Sequence, residues 1–146
     1  MGRPAMTTGP DGGYHLQEQV GFVLRKANQR HLAIFSARIG DLTPPQFAAL
    51  AKLKEVGETS QNQLGSLIAM DAATVKGVID RLKARGLVEI GKDGADRRRL
   101  LVSLTAEGRE LVERLVPMAA AITDETLAPL TRREIATLLR LLGRIA

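Results

Sequence analysis

Apolar positions recur every three or four residues through most of the chain, which predicts a mainly helical fold in which each helix buries one face. Residues 14–39 are expected to form the first long helix, and Gly40 ends it. Residues 1–13 hold two prolines and four glycines without such a spacing, so they are expected to form a flexible tail. Six apolar side chains share the face that the first helix is expected to bury: Leu16, Val20, Val23, Ala27, Ile34 and Phe35.

The later helices are predicted to begin at a Ser, Thr or Asp, whose side-chain oxygen caps the unpaired amides of the first turn. Asp71 and Thr105 are the predicted caps of two of them. The helix after Asp71 ends near Gly86, the residue type that favours a left-handed conformation beyond a helix. Pro117 is expected to kink the helix after Thr105. Three segments have the sequence of a capping box: residues 43–46, 60–63 and 131–134.

Between the helix that follows Asp71 and the helix that follows Thr105, the spacing of apolar residues changes from helical to extended. Residues 87–90 and 99–104 are predicted strands, and residues 91–96 are the turn that joins them. Together the three segments predict a β-hairpin with a charged tip.

The order of the predicted elements is that of a winged helix-turn-helix. Two short capped helices joined by a tight turn make the helix-turn-helix, and a hairpin directly after the second helix makes it winged. In such a unit the second helix enters the DNA major groove with its N-terminal residues nearest the bases. The fold class is therefore predicted as mainly α with a small β-hairpin, and residues 43–104 are expected to form the DNA-binding lobe.

The chain carries a formal net charge of +5, and its basic residues are concentrated in one segment. Residues 76–99 hold eight basic and four acidic side chains, whereas residues 105–146 hold six of each. The basic segment coincides with the predicted second helix and the hairpin. Because phosphates attract Lys and Arg regardless of base sequence, this distribution favours a nucleic-acid partner.

Two groups of helical residues are predicted to contact DNA. The helix start at Ser60, Gln61 and Asn62 suits a phosphate. Small or polar side chains on the outward face of the next helix allow close approach to base edges and phosphates: Thr74, Lys76, Gly77, Arg81 and Lys83.

The hairpin tip supplies the third predicted contact. Arg97, Arg98 and Arg99 place three guanidinium groups at or beside the tip, and arginine fits the negative potential of a narrow minor groove. An acid next to DNA is unfavourable unless it is paired. We therefore expect Asp96 to pair with an arginine and support the loop.

The chain lacks the residues that several other classes of protein require. The chain has no cysteine, which excludes disulfides and thiolate chemistry. Its two histidines are sixteen residues apart, unlike the metal-binding pair of a helical zinc motif. No enzyme activity, metal or cofactor is therefore expected. The longest apolar run has eight residues, which is too short to span a membrane, so a cytoplasmic protein is expected.

An alternative stays open, in which the chain is an RNA-binding or non-specific nucleic-acid-binding module without a small-molecule effector. Residues 91–94 match the two-glycine spacing of a KH loop, but they lie in a predicted hairpin rather than between helices. Aromatic residues make up only 3% of the chain, which disfavours a base-stacking platform.

The chain resembles the multiple antibiotic resistance regulator (MarR) family of bacterial transcription factors. Four features carry the resemblance: residues 82–88 (LKARGLV), 96–98 (DRR) and 102–105 (VSLT), and Gly108. The resemblance implies an obligate homodimer whose dimerisation region is formed by residues 14–40 and 106–146. It also implies a pseudo-palindromic operator, usually repression, and a pocket that takes small aromatic or phenolic acids.

Residues near the end of the first predicted helix are candidates for an effector site. His31 and Arg38 share one helix face with Phe35, so they could hold a carboxylate against an aromatic wall. Phe47 and Met70 could add apolar contacts from facing helices. A small aromatic carboxylate or its coenzyme A thioester is the expected effector. The other interpretation is that His31 and Arg38 pair with acidic groups of a second subunit.

Overall fold

The structure, a computed structural model, describes residues 12–96 and 98–146. The expected tail therefore lies outside the described residues except for its last two positions. Within the described ranges the chain forms a 3-10 turn, six α-helices and three short strands: Leu16–Glu18, α1 Val20–Arg38, α2 Pro44–Val56, β1 Thr59–Ser60, α3 Gln61–Leu67, α4 Ala72–Ala84, β2 Val88–Lys92, β3 Leu100–Leu104, α5 Ala106–Leu127 and α6 Arg132–Ile145. The predicted fold class is confirmed.

The helix starts predicted from capping residues are confirmed. The Thr43 side chain accepts the Gln46 amide and the Gln46 side chain accepts the Thr43 amide, which completes a capping box. Thr131 and Glu134 form the same arrangement at the start of α6. These local hydrogen bonds satisfy amides that the helix itself leaves unpaired, so a few residues are enough to place each boundary.

The first helix is shorter than the apolar spacing predicted. Residues 16–18 form a 3-10 turn, Gln19 is extended, and α1 begins at Val20 instead of at residue 14. The expected buried stripe is confirmed at Phe35, and Ile34 is half-buried, but the other four side chains are exposed in the single chain. Val20 and Val23 are 66% and 51% exposed. The spacing identifies side chains that share a face, but it says nothing about what covers that face.

The hairpin is confirmed, with one addition that the sequence did not predict. Strand β2 includes Gly91 and Lys92, which were expected in the turn. Strand β3 pairs with β2 on one side and with β1 on the other, so the sheet order is β1-β3-β2. Strand β1 has only two residues, Thr59 opposite Val102 and Ser60 opposite Leu101. Two residues are too few to show an alternating pattern.

The described chain divides into two compact units. The central unit comprises residues 35–124, and the terminal unit comprises residues 12–34 and 125–146. The central unit holds the largest of the fully buried apolar side chains: Leu50, Leu53, Leu64, Val75, Ile79, Leu82, Val102 and Val112. These residues come from α2, α3, α4, β3 and α5, so one core holds the helix-turn-helix and the hairpin in place.

A contact between backbones fixes the start of α5 against the end of α4. Gly86 has a φ of 73°, the left-handed conformation that glycine was predicted to supply. The Thr105 hydroxyl donates to the Gly86 carbonyl at 2.7 Å and accepts the Gly108 amide at 3.0 Å. Gly108 lies so close to the Leu87 carbonyl that any side chain would collide with it.

Candidate nucleic-acid interface

Helices α3 and α4 form the predicted helix-turn-helix. Gly65 allows them to cross closely, because a Cβ atom there would lie 3.1 Å from the Met70 carbonyl oxygen and 3.2 Å from a Val75 methyl carbon. The Met70 amide donates to the Gly65 carbonyl at 2.8 Å, which closes the turn. Ala69 in this turn has a φ of 57°, a conformation that few non-glycine residues adopt.

Helix α4 buries one side and exposes the other, as its sequence predicted. The buried side consists of Val75, Val78, Ile79 and Leu82. The predicted DNA contacts Thr74, Lys76, Arg81 and Lys83 are exposed, and Gly77 is half-buried. The helix therefore presents its small and polar side chains to an approaching partner.

Two basic side chains on α4 already have neighbours on the helix. The Lys76 ammonium donates to the Asp80 carboxylate at 2.8 Å. The Arg81 guanidinium lies over Gly77, since a Cβ atom on that glycine would be 3.6 Å from Arg81 Nη1. Both cationic groups therefore lie along the outward face of the helix.

The cap of α4 is a carboxylate whose charge is stabilised by the helix. Asp71 Oδ1 accepts the Thr74 backbone amide at 2.7 Å. That bond, together with one from the Thr74 hydroxyl, holds the pKa of Asp71 below its ordinary value. Because the pKa is lowered on folding, the ionised carboxylate stabilises the folded state, and protonation removes this contribution.

Replacing Asp71 by Ala is expected to destabilise the protein at neutral pH, because α4 loses its cap. The difference from wild type should stay constant down to about pH 4 and then shrink as the pH falls through the lowered pKa of Asp71 in the folded protein. Urea unfolding of both proteins from neutral pH to about pH 3 measures this difference. Asp71→Asn, which keeps a neutral acceptor, is the control. A difference that is the same at every pH would contradict the role of the charge.

The wing brings two of its arginines beside helix α3. A cleft of about 540 Å³ is lined by residues of the helix and of the hairpin tip: Ser60, Asn62, Gln63, Ser66, Asp96, Arg98 and Arg99. A smaller cleft next to it adds Gln61 and Leu100. Arg97 lies outside the described residues, so its predicted role stays a prediction.

Asp96 shapes the wing through the backbone. Its side chain accepts the Arg98 amide at 3.0 Å, and its carbonyl accepts the Arg99 amide at 3.0 Å. The Arg99 carbonyl in turn accepts the Asp93 amide at 3.0 Å. The described contacts of Asp96 therefore hold the loop that carries the arginines, and they involve backbone amides where a guanidinium was expected.

The residues at the start of α3 differ in how far they reach outward. Ser60 is only 5% exposed, and its hydroxyl accepts the Gln63 amide at 3.2 Å. Asn62 is exposed and Gln61 is half-buried. The sequence prediction missed Gln63 and Ser66, which are exposed and line the cleft with Asn62. Their spacing on one face of α3 was the available signal.

The predicted effector residues fall into both units, and the structure describes each group separately. In the terminal unit, His31 Nδ1 lies 2.9 Å from the Thr126 hydroxyl, and Arg30 donates to the Thr126 and Glu125 carbonyls. In the central unit, Phe35 meets Phe47 edge to face, with 6.4 Å between ring centroids. Two further predicted residues belong to the central unit, the exposed Arg38 and the half-buried Met70.

Two absences hold for residues 12–96 and 98–146. No group of three or more acidic or histidine side chains is arranged to hold a metal ion. No helix in these ranges has the length and apolar character that a membrane span requires.

Comparisons with known proteins agree with this geometry. A model of the MarR family matches residues 40–99. The chain is 41% identical over 134 residues to the HTH-type transcriptional repressor NicR of Pseudomonas putida, covering 90% of this chain and 85% of that protein.

Solved structures are also similar over nearly the whole chain. A probable transcriptional regulator from Pseudomonas aeruginosa has a TM-score of 0.86 at 52% identity, covering 90% of this chain and 100% of that one. Bordetella bronchiseptica BpsR, whose DNA binding is regulated by 6-hydroxynicotinic acid, has a TM-score of 0.88 at 46% identity, covering 92% of this chain and 97% of that one.

Proposed function

This chain belongs to the MarR family of transcriptional regulators, and from that premise we propose that it is a homodimeric repressor of a pseudo-palindromic DNA operator, released by a small aromatic acid. The observation that carries the proposal lies in the central unit. There the exposed polar face of α4 and the wing arginines Arg98 and Arg99 belong to one compact body. This combination suits simultaneous contact with the major groove and a flanking minor groove.

In the proposed complex α4 reads the major groove while the wing and α3 hold the phosphates. Thr74, Lys76 and Arg81 are the base-reading candidates, because they lie on the outward face of α4. Asn62 lines the cleft with Arg98 and Arg99, and the cleft offers a phosphate both amide and guanidinium donors. Lys83 and Gln61 are further candidates for phosphate contacts.

The proposed dimer rests on the apolar face of α6 and on exposed residues of α1. No residue of α6 is buried in the single chain. Leu138, Leu141 and Leu142 line apolar clefts on this helix, and Leu139 and Ile145 are exposed. Val20 and Val23 of α1 are exposed as well. A second copy of the chain would cover these side chains, which otherwise face water.

The proposed effector is an aromatic acid because BpsR, at 46% identity, is regulated by one. The candidate residues in this chain suit that chemistry. Within the central unit, Arg38 could pair with a carboxylate, and Phe35 and Phe47 could pack against the ring. Met70 could complete the apolar wall. A coenzyme A thioester is the alternative effector.

The proposal is tested with duplexes that the wild-type protein enriches from a random pool. The protein is expected to release an enriched duplex when 6-hydroxynicotinic acid is added. Adding benzoyl-coenzyme A in its place tests the thioester alternative. Single-stranded RNA of the same length should not compete. Preference for RNA, or a monomer in sedimentation at the binding concentration, would overturn the proposal.

Arg38→Gln is expected to keep duplex binding and to raise the acid concentration needed for release at least tenfold, because the carboxylate loses its cation. Lys26→Gln removes the same charge from the exposed surface of α1 and serves as the control. Fluorescence anisotropy of a labelled duplex, titrated with the acid, measures the response of each variant. Equal responses from both variants would exclude Arg38 from the effector site.

A further inference from the structure

Helix α4 carries an acid at the centre of the face that meets DNA in the proposed complex. At 3.6 residues per turn, Ala73, Gly77 and Asp80 lie almost opposite the buried side of α4. Asp80 is the sole acidic residue in the sequence of this helix. In the proposed complex a carboxylate in that position enters the major groove, where the negative potential of the surrounding phosphates repels it. Its presence on the reading face therefore requires an explanation.

The structure shows what this carboxylate does. Asp80 Oδ2 accepts a hydrogen bond from Lys76 Nζ at 2.8 Å, one helical turn earlier. Both side chains are exposed, with 53% of Asp80 and 66% of Lys76 accessible to water. Exposed pairs of this kind contribute roughly 0–1 kcal/mol to stability. The fold has little need of the pair, whereas the position of the Lys76 ammonium depends on it.

We propose that Asp80 is a specificity-determining residue that restrains the Lys76 ammonium and keeps it from binding backbone phosphates indiscriminately. The inference rests on the proposed duplex-binding function. On an arbitrary sequence the protein is held by phosphate contacts alone, so a restrained Lys76 weakens that complex. On an operator, base contacts fix the position of α4, so the loss of a phosphate contact lowers the affinity by a smaller factor. Asp80 thereby widens the gap between the two affinities.

Asp80→Asn keeps the size of the side chain and removes its charge. Binding to an unselected pool of duplexes, each about 30 base pairs long to hold two half-sites, is expected to tighten about fivefold. The slope of log affinity against log salt should steepen by about 1.8, because the dimer gains two phosphate contacts, one from Lys76 of each subunit. Binding to a duplex enriched by the wild-type protein should change less than about twofold, so discrimination falls.

A second lysine–acid pair provides a matched control. Lys52 and Glu55 on α2 also form an exposed pair, with 2.9 Å between Nζ and the carboxylate oxygen. Glu55→Gln changes the net charge by the same amount as Asp80→Asn, but on a different helix. It should leave both affinities and the salt slope unchanged. In a Lys76→Gln background, Asp80→Asn should have lost its effect on the unselected pool.

The outcomes separate the inference from the function on which it rests. Equal tightening on enriched and unselected duplexes, or the same tightening with Glu55→Gln, would reduce Asp80 to a general charge effect and overturn the inference. A changed preference at one base pair in the sequences that Asp80→Asn enriches would show direct reading of a base by the carboxylate, which also overturns it. A wild-type protein that binds no duplex overturns the proposed function and this inference with it.

Discussion

Replacing Arg98 by Ala is expected to weaken binding to an enriched duplex at least tenfold while leaving the fold intact. Arg98 lines the cleft between the wing and α3, and its side chain is exposed, so the folded protein does not depend on it. A guanidinium in a groove or on a phosphate contributes about 1–3 kcal/mol, and the dimer loses two of them, so the loss is at least about tenfold. Replacing Arg98 and Arg99 together should weaken binding more than either single change, and the departure from the product of the two single losses measures the coupling of these adjacent side chains in one cleft.

Arg109→Ala is the control for the loss of a positive charge, because Arg109 is exposed on α5 of the same unit. Fluorescence anisotropy with a labelled duplex measures the affinities, and thermal unfolding verifies that each variant is folded. Arg98→Ala with wild-type affinity would remove the wing from the interface. Equal losses for Arg98→Ala and Arg109→Ala would mean that total charge, and not the position of the wing, governs binding.

Replacing Gly108 by Ala is expected to cost about 2–4 kcal/mol of stability and to lower the melting temperature by about 10 °C. The Cβ atom would collide with the Leu87 carbonyl, which is backbone and cannot rotate away. To avoid the collision, the start of α5 would have to move away from Leu87, which would strain the two hydrogen bonds of the Thr105 hydroxyl. These bonds join the start of α5 to the segment that leads from α4 into the wing.

The matched control is Gly91→Ala in strand β2, where an added Cβ atom meets nothing within 4 Å. This variant should unfold at the wild-type temperature or slightly above it, since alanine lowers the entropy of the unfolded chain. Scanning calorimetry at one protein concentration compares the three proteins. If Gly108→Ala has the melting temperature of the wild-type protein, the close approach to Leu87 does not limit the packing of α5.

The residues that carry the resemblance to the MarR family now have separate physical explanations. Gly86 supplies a left-handed backbone after α4, and Gly108 allows a backbone to pass where no side chain fits. Asp96 accepts an amide of the wing loop. The requirements at Gly86 and Asp96 are local, whereas the one at Gly108 comes from Leu87, which lies 21 positions earlier in the chain. The order of the predicted elements predicted the winged helix-turn-helix. The motif holds no information on the neighbours of Lys76 or Ser60, which are set by side-chain positions.

Local chemistry thus sufficed for the helix boundaries at Thr43, Asp71 and Thr131, because each depends on hydrogen bonds between residues three positions apart. It also sufficed for the hairpin, whose two strands are joined by a short turn and pair with each other. Strand β1 is a product of the tertiary fold, since Thr59 and Ser60 become a strand by pairing with residues about forty positions later. The burial of apolar side chains also depends on the tertiary structure. The apolar spacing of α1 was visible in the chain, but an apolar face is buried only where another surface covers it, and that surface is a property of assembled elements.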